Sequence, residues 1–136
     1  MIDCIVLGDS IAVGTQLQRY ECVSYSKGGI NTSQWNKTYS DKNLKAGTVI
    51  ISLGTNDHKG VKTEQELFSM RSKVTASKVF WIMPPCNDKF CKSNVNDIVK
   101  KIAEAHGDMI IGTNRVQADA IHPSWVGYRE LAEKTK

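Results

Sequence analysis

The stretch IDCIVLGDS, residues 2–10, decides the fold, because a nearly unbroken apolar run ends abruptly in Gly-Asp-Ser. Such a run is typical of a strand that is buried on both faces of a parallel sheet. In open parallel sheets, ligands bind outside the carboxyl ends of the strands. Ser10 therefore either caps the helix that follows the strand or reacts with something bound at that edge.

Further apolar runs continue this pattern, and segments of helical period separate them. The predicted strands are residues 2–7, 22–26, 49–53, 79–83 and 109–111. Strands that alternate with helices are the sequence signature of a parallel sheet covered by helices. We therefore expect an α/β protein, a compact three-layer α/β/α sandwich with right-handed crossovers.

The ends of the helices can be predicted in three places. Thr63, followed three positions later by Glu66, predicts a capping box at the start of one helix. A second helix is expected over residues 94–106, because Gly107 suits the left-handed position that ends a helix. The last helix is expected over residues 125–133.

Size and charge restrict the classes of function. The 136 residues, 40% of them hydrophobic, suffice for one domain spanning residues 1–136 with a real core. The net charge of +4 comes from scattered lysines rather than from a basic stripe, so nucleic-acid binding is not expected. The first apolar run is too short to span a bilayer and lacks the features of a signal peptide. We expect a soluble protein without membrane insertion, either cytoplasmic or carried in a larger particle.

The four cysteines do not indicate a disulfide framework. Cys4 and Cys22 fall in predicted strands and are expected to be small buried residues. Cys86 and Cys91 bracket a short loop and could pair, which the sequence leaves open. A zinc site at that loop would need two more ligands, and no second Cys or His pair stands at ligand spacing. We expect no metal and no cofactor.

Four polar segments stand where the strands of such a sheet end or where the last helix begins. They are residues 8–10, 27–31, 54–57 and 119–123. Because the carboxyl ends of parallel strands share one edge, these loops should converge. Taken alone, each has an ordinary structural interpretation, as a helix cap or as a turn that needs Gly or Asn.

Together, the four segments supply the groups that acyl transfer needs. A serine hydroxyl becomes a good nucleophile when an imidazole takes its proton and a carboxylate orients that imidazole. Asp119 and His122 are three positions apart, so a local turn can join them and leave the other ring nitrogen for Ser10. The oxyanion that forms needs fixed donors, and the candidates are the backbone N–H groups of Ser10 and Gly29 and the side-chain amide of Asn56.

In order along the chain, GDS, the glycines after the second strand, GTND and DAIHP resemble the motifs of the SGNH hydrolases, also called GDSL-type esterases. The resemblance covers residues 7–128. It implies a flavodoxin-like fold with five parallel strands in the order 2-1-3-4-5. It also implies that Ser10 is the nucleophile, that His122 is the general base and acid, and that Asp119 is its orienting partner.

The same resemblance implies an oxyanion hole formed by Ser10, Gly29 and Asn56. Gly28 and Gly29 are adjacent, and the motif does not say which N–H faces the oxyanion. We choose Gly29 because this leaves residues 30–33 to start the next helix.

The expected substrate is a carboxylic ester with a small acyl group on a large or variable alcohol, because the short loops offer little material for a lid or a deep acyl tunnel. Removal of O-acetyl groups from a carbohydrate fits this best. The alternatives are a lipid esterase or thioesterase, and a catalytically inactive glycan-binding module on the same fold. Asp9, Asn87 and Trp125 are candidates for contact with the substrate. The sequence does not predict the oligomeric state.

Overall fold

Five strands pair in parallel within residues 2–136, the part of the chain that the computed structural model describes. They are β1 (Ile2–Gly8), β2 (Val23–Ser26), β3 (Lys45–Ser52), β4 (Thr75–Ile82) and β5 (Met109–Ile111). The helices of the same part are α1 (Ser10–Leu17), α2 (Thr32–Thr38), α3 (Thr63–Ser72), α4 (Ser93–His106) and α5 (Trp125–Lys134). The strands lie in the order β2-β1-β3-β4-β5, so the expected fold class and strand order are confirmed.

The sheet is covered on both faces, because successive strand residues contribute to two hydrophobic clusters. In β1, Ile5 and Leu7 belong to the cluster that includes α2, α3 and α4. Cys4 and Val6 belong to the cluster that includes α1 and α5. Strands buried in this way are apolar along their length, which explains the continuous runs in the sequence.

The two strands β3 and β4 begin earlier than their apolar runs. β3 begins at Lys45 and β4 at Thr75, ahead of the predicted starts at positions 49 and 79. The added residues pair in register, with Lys45 opposite Thr75 and Thr48 opposite Lys78. Most of these added residues are polar or small rather than strongly hydrophobic, so hydrophobicity does not mark them as strand.

The capping box expected at Thr63 and Glu66 is wrong. Thr63 is the first residue of α3, and in the described chain its N-cap, Lys62, makes no side-chain capping bond. The Thr63 hydroxyl donates instead to the buried carboxylate of Asp57 over 2.8 Å, and Glu66 accepts from the Asn36 amide. A hydrogen bond to a charged acceptor is stronger than a neutral cap, which explains the orientation of Thr63.

A capping box occurs at α2, where we did not predict one. Oδ1 of Asn31 accepts from the N–H of Gln34, and Oε1 of Gln34 accepts from the N–H of Asn31, both over 2.9 Å. At the end of α4, Gly107 has the expected left-handed conformation, with φ 69°. No helix within residues 2–136 combines the length and the apolar character needed to cross a membrane.

Both pairs of cysteines form disulfides. The expectation that Cys4 and Cys22 are simply small buried residues is wrong, because the parallel pairing of β1 with β2 brings their Cα atoms to 4.8 Å and the sulfurs bond. Cys86 and Cys91, whose pairing the sequence left open, are joined across the loop between β4 and α4.

Candidate active site

β1 turns abruptly into α1 because Gly8 has a backbone conformation that other residues rarely adopt. Its φ is +140°, and a Cβ there would lie 1.8 Å from the backbone oxygen of Ser52. The N–H of Asp9 donates to that same oxygen over 2.9 Å, which holds the turn against the end of β3. Ser10 thereby becomes the first residue of α1, at the carboxyl edge of the sheet.

The cap of α1 is Asp9 and not Ser10. Oδ1 of Asp9 accepts from the N–H of Ile11 over 3.0 Å and from the Ser52 hydroxyl over 3.2 Å. Asp9 is 0% exposed, so the expectation that it contacts the substrate is wrong. Burial raises the pKa of Asp9 to about 6, and its Oδ2 meets no hydrogen-bond partner among residues 2–136. Because Asp9 caps α1, the Ser10 hydroxyl does not serve as a helix cap.

Ser10, His122 and Asp119 lie in one hydrogen-bonded line. Oγ of Ser10 is 2.7 Å from Nε2 of His122, and Nδ1 of His122 is 2.7 Å from Oδ2 of Asp119. In the neutral imidazole, Nδ1 carries the proton because a carboxylate only accepts, and Nε2 then accepts from the hydroxyl. The hydrogen bond from His122 lowers the pKa of Asp119 to about 2, so this carboxyl group is ionised at neutral pH.

The turn that carries His122 is held by bonds within itself. Oδ1 of Asp119 accepts from the N–H groups of Ile121 and His122, over 2.9 and 3.0 Å. Gln117 donates its N–H to the His122 oxygen and accepts from the N–H of Ala120. Ala120 has φ 62°, a left-handed conformation that costs an alanine roughly 1 kcal/mol. Contacts around the turn must therefore offset the cost of this backbone conformation.

The glycine turn after β2 lies beside Ser10. Gly29 has φ +76°, and a Cβ on it would meet no atom of residues 2–136 within 4 Å. A Cβ on Gly28 would lie 3.9 Å from the Cβ of Ser10, so Gly28 borders the candidate nucleophile. The choice of Gly29 over Gly28 as the oxyanion donor stays a prediction.

The remaining oxyanion candidate, Asn56, is half-buried just after β3. Its Nδ2 donates to the backbone oxygen of Ile30 over 3.0 Å, which joins its loop to the glycine turn. An amide nitrogen carries two protons, so the second N–H is available to a ligand.

Asp57 connects two elements around the site, a role that the sequence motifs did not predict. Its carboxylate is 2% exposed and accepts from the N–H of Thr32 over 2.9 Å and from its hydroxyl over 2.8 Å. It also accepts from the Thr63 hydroxyl, so it joins the starts of α2 and α3. The sequence signal for this role was an acidic residue directly after Asn56. If such a carboxylate is buried, it needs several hydrogen-bond donors from neighbouring elements.

The two other candidates for substrate contact, Asn87 and Trp125, differ in whether their side chains are available to a ligand. Nδ2 of Asn87 donates to the Ala120 oxygen over 2.8 Å, and its Oδ1 accepts from two N–H groups of its own loop. The polar atoms of Asn87 are therefore engaged within the protein. Trp125 is 62% exposed at the start of α5, and the Arg129 guanidinium lies 5.3 Å from its ring centroid.

A cavity of about 300 Å³ lies at the glycine turn, whose Gly28 borders Ser10. Its lining consists of Lys27, Gly28, Gly29, Ile30, Gln34 and Thr38. An ammonium, an amide and a hydroxyl around one cavity suit a hydroxylated ligand. Within residues 2–136, no three His, Cys, Asp or Glu side chains are grouped to hold a metal ion.

The three-layer sandwich with this strand order is the fold of SGNH-type hydrolases. A variant of the acetyl-xylooligosaccharide esterase Axe2 from Geobacillus stearothermophilus matches with a TM-score of 0.64 at 17% identity, over 96% of this chain and 90% of its own. The C-terminal catalytic domain of the peptidoglycan O-acetyltransferase OatA from Streptococcus pneumoniae matches with 0.63 at 18% identity, over 96% and 88%. A candidate acylhydrolase from Bacteroides fragilis matches with 0.73 at 15% identity, over 97% and 83%.

No protein-family model and no curated protein sequence matches the chain. At the identities of these structural neighbours, the likeness shows the fold. Because one fold hosts many activities, the function has to be argued from the site.

Proposed function

We propose that the protein is a serine esterase of the SGNH type, which hydrolyses a carboxylic ester through an acyl-enzyme on Ser10. The observation that carries this proposal is the line from Ser10 through His122 to Asp119, with 2.7 Å at each step. A hydroxyl, an imidazole and a carboxylate in this order are the groups that activate serine for attack on an acyl carbon.

In the first half-reaction, Oγ of Ser10 attacks the carbonyl carbon of the ester while Nε2 of His122 takes the hydroxyl proton. The imidazolium is stabilised by Asp119, whose low pKa keeps it ionised. The oxyanion accepts from the backbone N–H groups of Ser10 and Gly29 and from Nδ2 of Asn56. Collapse of the tetrahedral intermediate breaks the bond to the alcohol oxygen, which leaves with the proton held by His122.

In the second half-reaction, a water molecule gives a proton to Nε2 of His122 as its oxygen attacks the acyl carbon. Collapse of this second intermediate breaks the bond to Oγ of Ser10, which regains its proton from His122. The acid is released, and both proton transfers use the same imidazole nitrogen.

The proposed substrate is an O-acetylated carbohydrate. The cavity at the glycine turn has Lys27, Gln34 and Thr38 in its lining, and these polar side chains suit a sugar alcohol better than a fatty chain. Two of the structural neighbours are an acetyl-xylooligosaccharide esterase and a peptidoglycan O-acetyltransferase domain, and both names concern acetyl groups on glycans. These neighbours support the same acyl group and the same kind of alcohol here.

Hydrolysis of p-nitrophenyl acetate, butyrate and octanoate tests the proposal. We expect activity to fall steeply with chain length and to disappear in Ser10→Ala and His122→Ala. Ser77→Ala removes an exposed serine of β4 and should retain full activity. A preference for octanoate would favour a lipid esterase or thioesterase. A wild type no faster than Ser10→Ala on all three esters would favour the glycan-binding module.

A further inference from the structure

The loop between β4 and α4 contacts both halves of the candidate site. We propose that Asn87 and Lys92 are positioning residues for acyl transfer. Asn87 holds the turn that carries His122, and Lys92 holds the loop that carries Asn56. This inference rests on the proposed function, because it identifies what positions that same site.

A disulfide and several hydrogen bonds within the loop between β4 and α4 hold its conformation. Cys86 and Cys91 are joined by a disulfide, and the N–H of Asn87 donates to the Phe90 oxygen over 2.8 Å. Oδ1 of Asn87 accepts from the N–H of Lys89 over 2.9 Å and from that of Phe90 over 3.0 Å. The loop thus occupies the side-chain oxygen and leaves the side-chain nitrogen to bond elsewhere. The disulfide keeps the loop in the conformation that makes this possible.

Asn87 acts on one peptide group in the His122 turn. Its Nδ2 donates to the oxygen of Ala120 over 2.8 Å. The N–H of the same peptide group belongs to Ile121 and donates to Oδ1 of Asp119 over 2.9 Å. Because Ala120 has φ 62°, the turn needs outside support to keep this peptide orientation. Asn87 therefore orients the Asp119 carboxylate and, through it, the imidazole of His122.

Lys92 holds the backbone on both sides of Asn56. Its Nζ donates to the oxygen of Thr55 over 2.9 Å and to that of Asp57 over 2.7 Å. Hydrogen bonds from an ammonium are among the strong ones in proteins, so both carbonyl groups are firmly placed. The segment between them carries the Asn56 amide, which is bonded to Ile30 at the proposed oxyanion hole.

The two disulfides differ in exposure, so the loop can be released separately. Cys86 and Cys91 are exposed, whereas Cys4 and Cys22 are 3% and 4% exposed. A dithiol reductant transfers two electrons and two protons to the exposed S–S bond, giving two thiols, and is itself oxidised to a disulfide. Under native conditions we expect this reduction to loosen the loop while the bond between β1 and β2 stays intact.

The substitution Asn87→Asp removes the hydrogen bond to Ala120 and adds a negative charge at the same position. The carboxylate keeps an acceptor for the N–H groups of the loop but cannot donate to the Ala120 oxygen. We expect kcat for p-nitrophenyl acetate to fall about tenfold to a hundredfold, with KM within about twofold of the wild type, because small misplacements near the chemistry have effects of this size. Lys92→Met should act in the same direction, and Lys92→Arg should restore much of kcat. The matched control Asp88→Asn, at an exposed position of the same loop, should leave kcat unchanged.

The nitrogen chemical shifts of the His122 imidazole give a readout that does not depend on turnover, and His122→Ala assigns them. We expect the signature of Nδ1–H bonded to a carboxylate to weaken in Asn87→Asp and after dithiol treatment, and to persist in Asp88→Asn. Unchanged shifts together with unchanged kcat in Asn87→Asp would overturn the positioning role. Shifts that respond to Asn87→Asp, in a protein that hydrolyses no ester faster than Ser10→Ala, would uphold the positioning role and reject the esterase proposal.

Discussion

Oγ of Ser10 lies 2.7 Å from Nε2 of His122, although 112 positions separate the two residues in the chain. The packing of α1 against α5 explains this contact. Ser10 begins α1, and His122 lies just before α5. A Cβ on Gly14 of α1 would lie 2.3 Å from the ring of Tyr128 of α5, so this ring occupies the space that a side chain at position 14 would fill.

The close approach of α1 and α5 makes Gly14→Ala destabilising. Alanine is favoured over glycine in a helix by about 1 kcal/mol, but overpacking against the Tyr128 ring should cost about 1–3 kcal/mol. We expect the free energy of unfolding, measured by urea denaturation, to fall. If the variant is instead about 1 kcal/mol more stable than the wild type, the Tyr128 ring moves aside at little cost and only the helix preference of alanine is measured.

Asp119→Asn should lower kcat by about a thousandfold to ten-thousandfold. The amide can present an N–H to Nδ1 of His122, which favours the tautomer whose Nε2 carries the proton and cannot accept from Ser10. Asp88→Asn makes the same chemical change at an exposed position and should have no effect on kcat. The measurement is kcat on p-nitrophenyl acetate, and a loss of less than tenfold in Asp119→Asn would contradict the proposed role.

Asp9 should make the protein less stable as the pH rises. Its pKa in the folded protein is about 6, above its ordinary value of 3.8, so its contribution is fully present below 3.8 and is lost as the pH rises through about 6. This difference in pKa corresponds to a decrease of about 3 kcal/mol in the free energy of unfolding between roughly pH 4 and pH 8. Asp9→Asn keeps an acceptor for Ile11 but does not titrate. Urea denaturation at both pH values should show a smaller loss of stability in the variant, and equal losses would argue against a raised pKa.

Trp125 remains the candidate for contact with the substrate. A sugar ring stacked on this exposed indole, which Arg129 approaches from one side, would bind more weakly to Trp125→Ala. We expect KM for an acetylated oligosaccharide to rise about threefold to tenfold, the loss of one aromatic contact. Because p-nitrophenyl acetate has no sugar, its kcat/KM should stay at the wild-type value. Equal effects on both substrates would indicate a structural role instead.

Part of the site could be predicted from the sequence, because its signals are local. The apolar run that ends in Gly-Asp-Ser marks a buried strand with Ser10 at its carboxyl end. The spacing of Asp119 and His122 indicates a turn, and the structure forms that turn with both N–H and side-chain bonds to the Asp119 carboxylate. The strand order was implied by the resemblance to SGNH hydrolases, and apolar runs alone do not specify it.

Other features depend on which group lies nearby in the folded chain. Thr63 turns toward Asp57 rather than capping α3, and Cys4 meets Cys22 through strand register. Neither partner can be identified from local sequence. Asn87 and Lys92 both donate to backbone oxygens. Because every residue type has a backbone oxygen, no sequence pattern predicts these contacts.

The most direct test of the central claim is to identify the nucleophile with a fluorophosphonate probe, by intact-mass measurement and peptide mapping. We predict one label per chain, on the peptide that contains Ser10, at the same rate in the wild type and in Ser77→Ala. Labelling should be absent in Ser10→Ala and much slower in His122→Ala, because the imidazole must take the hydroxyl proton. Full labelling of Ser10→Ala, or a folded wild type that takes up no label, would contradict the account.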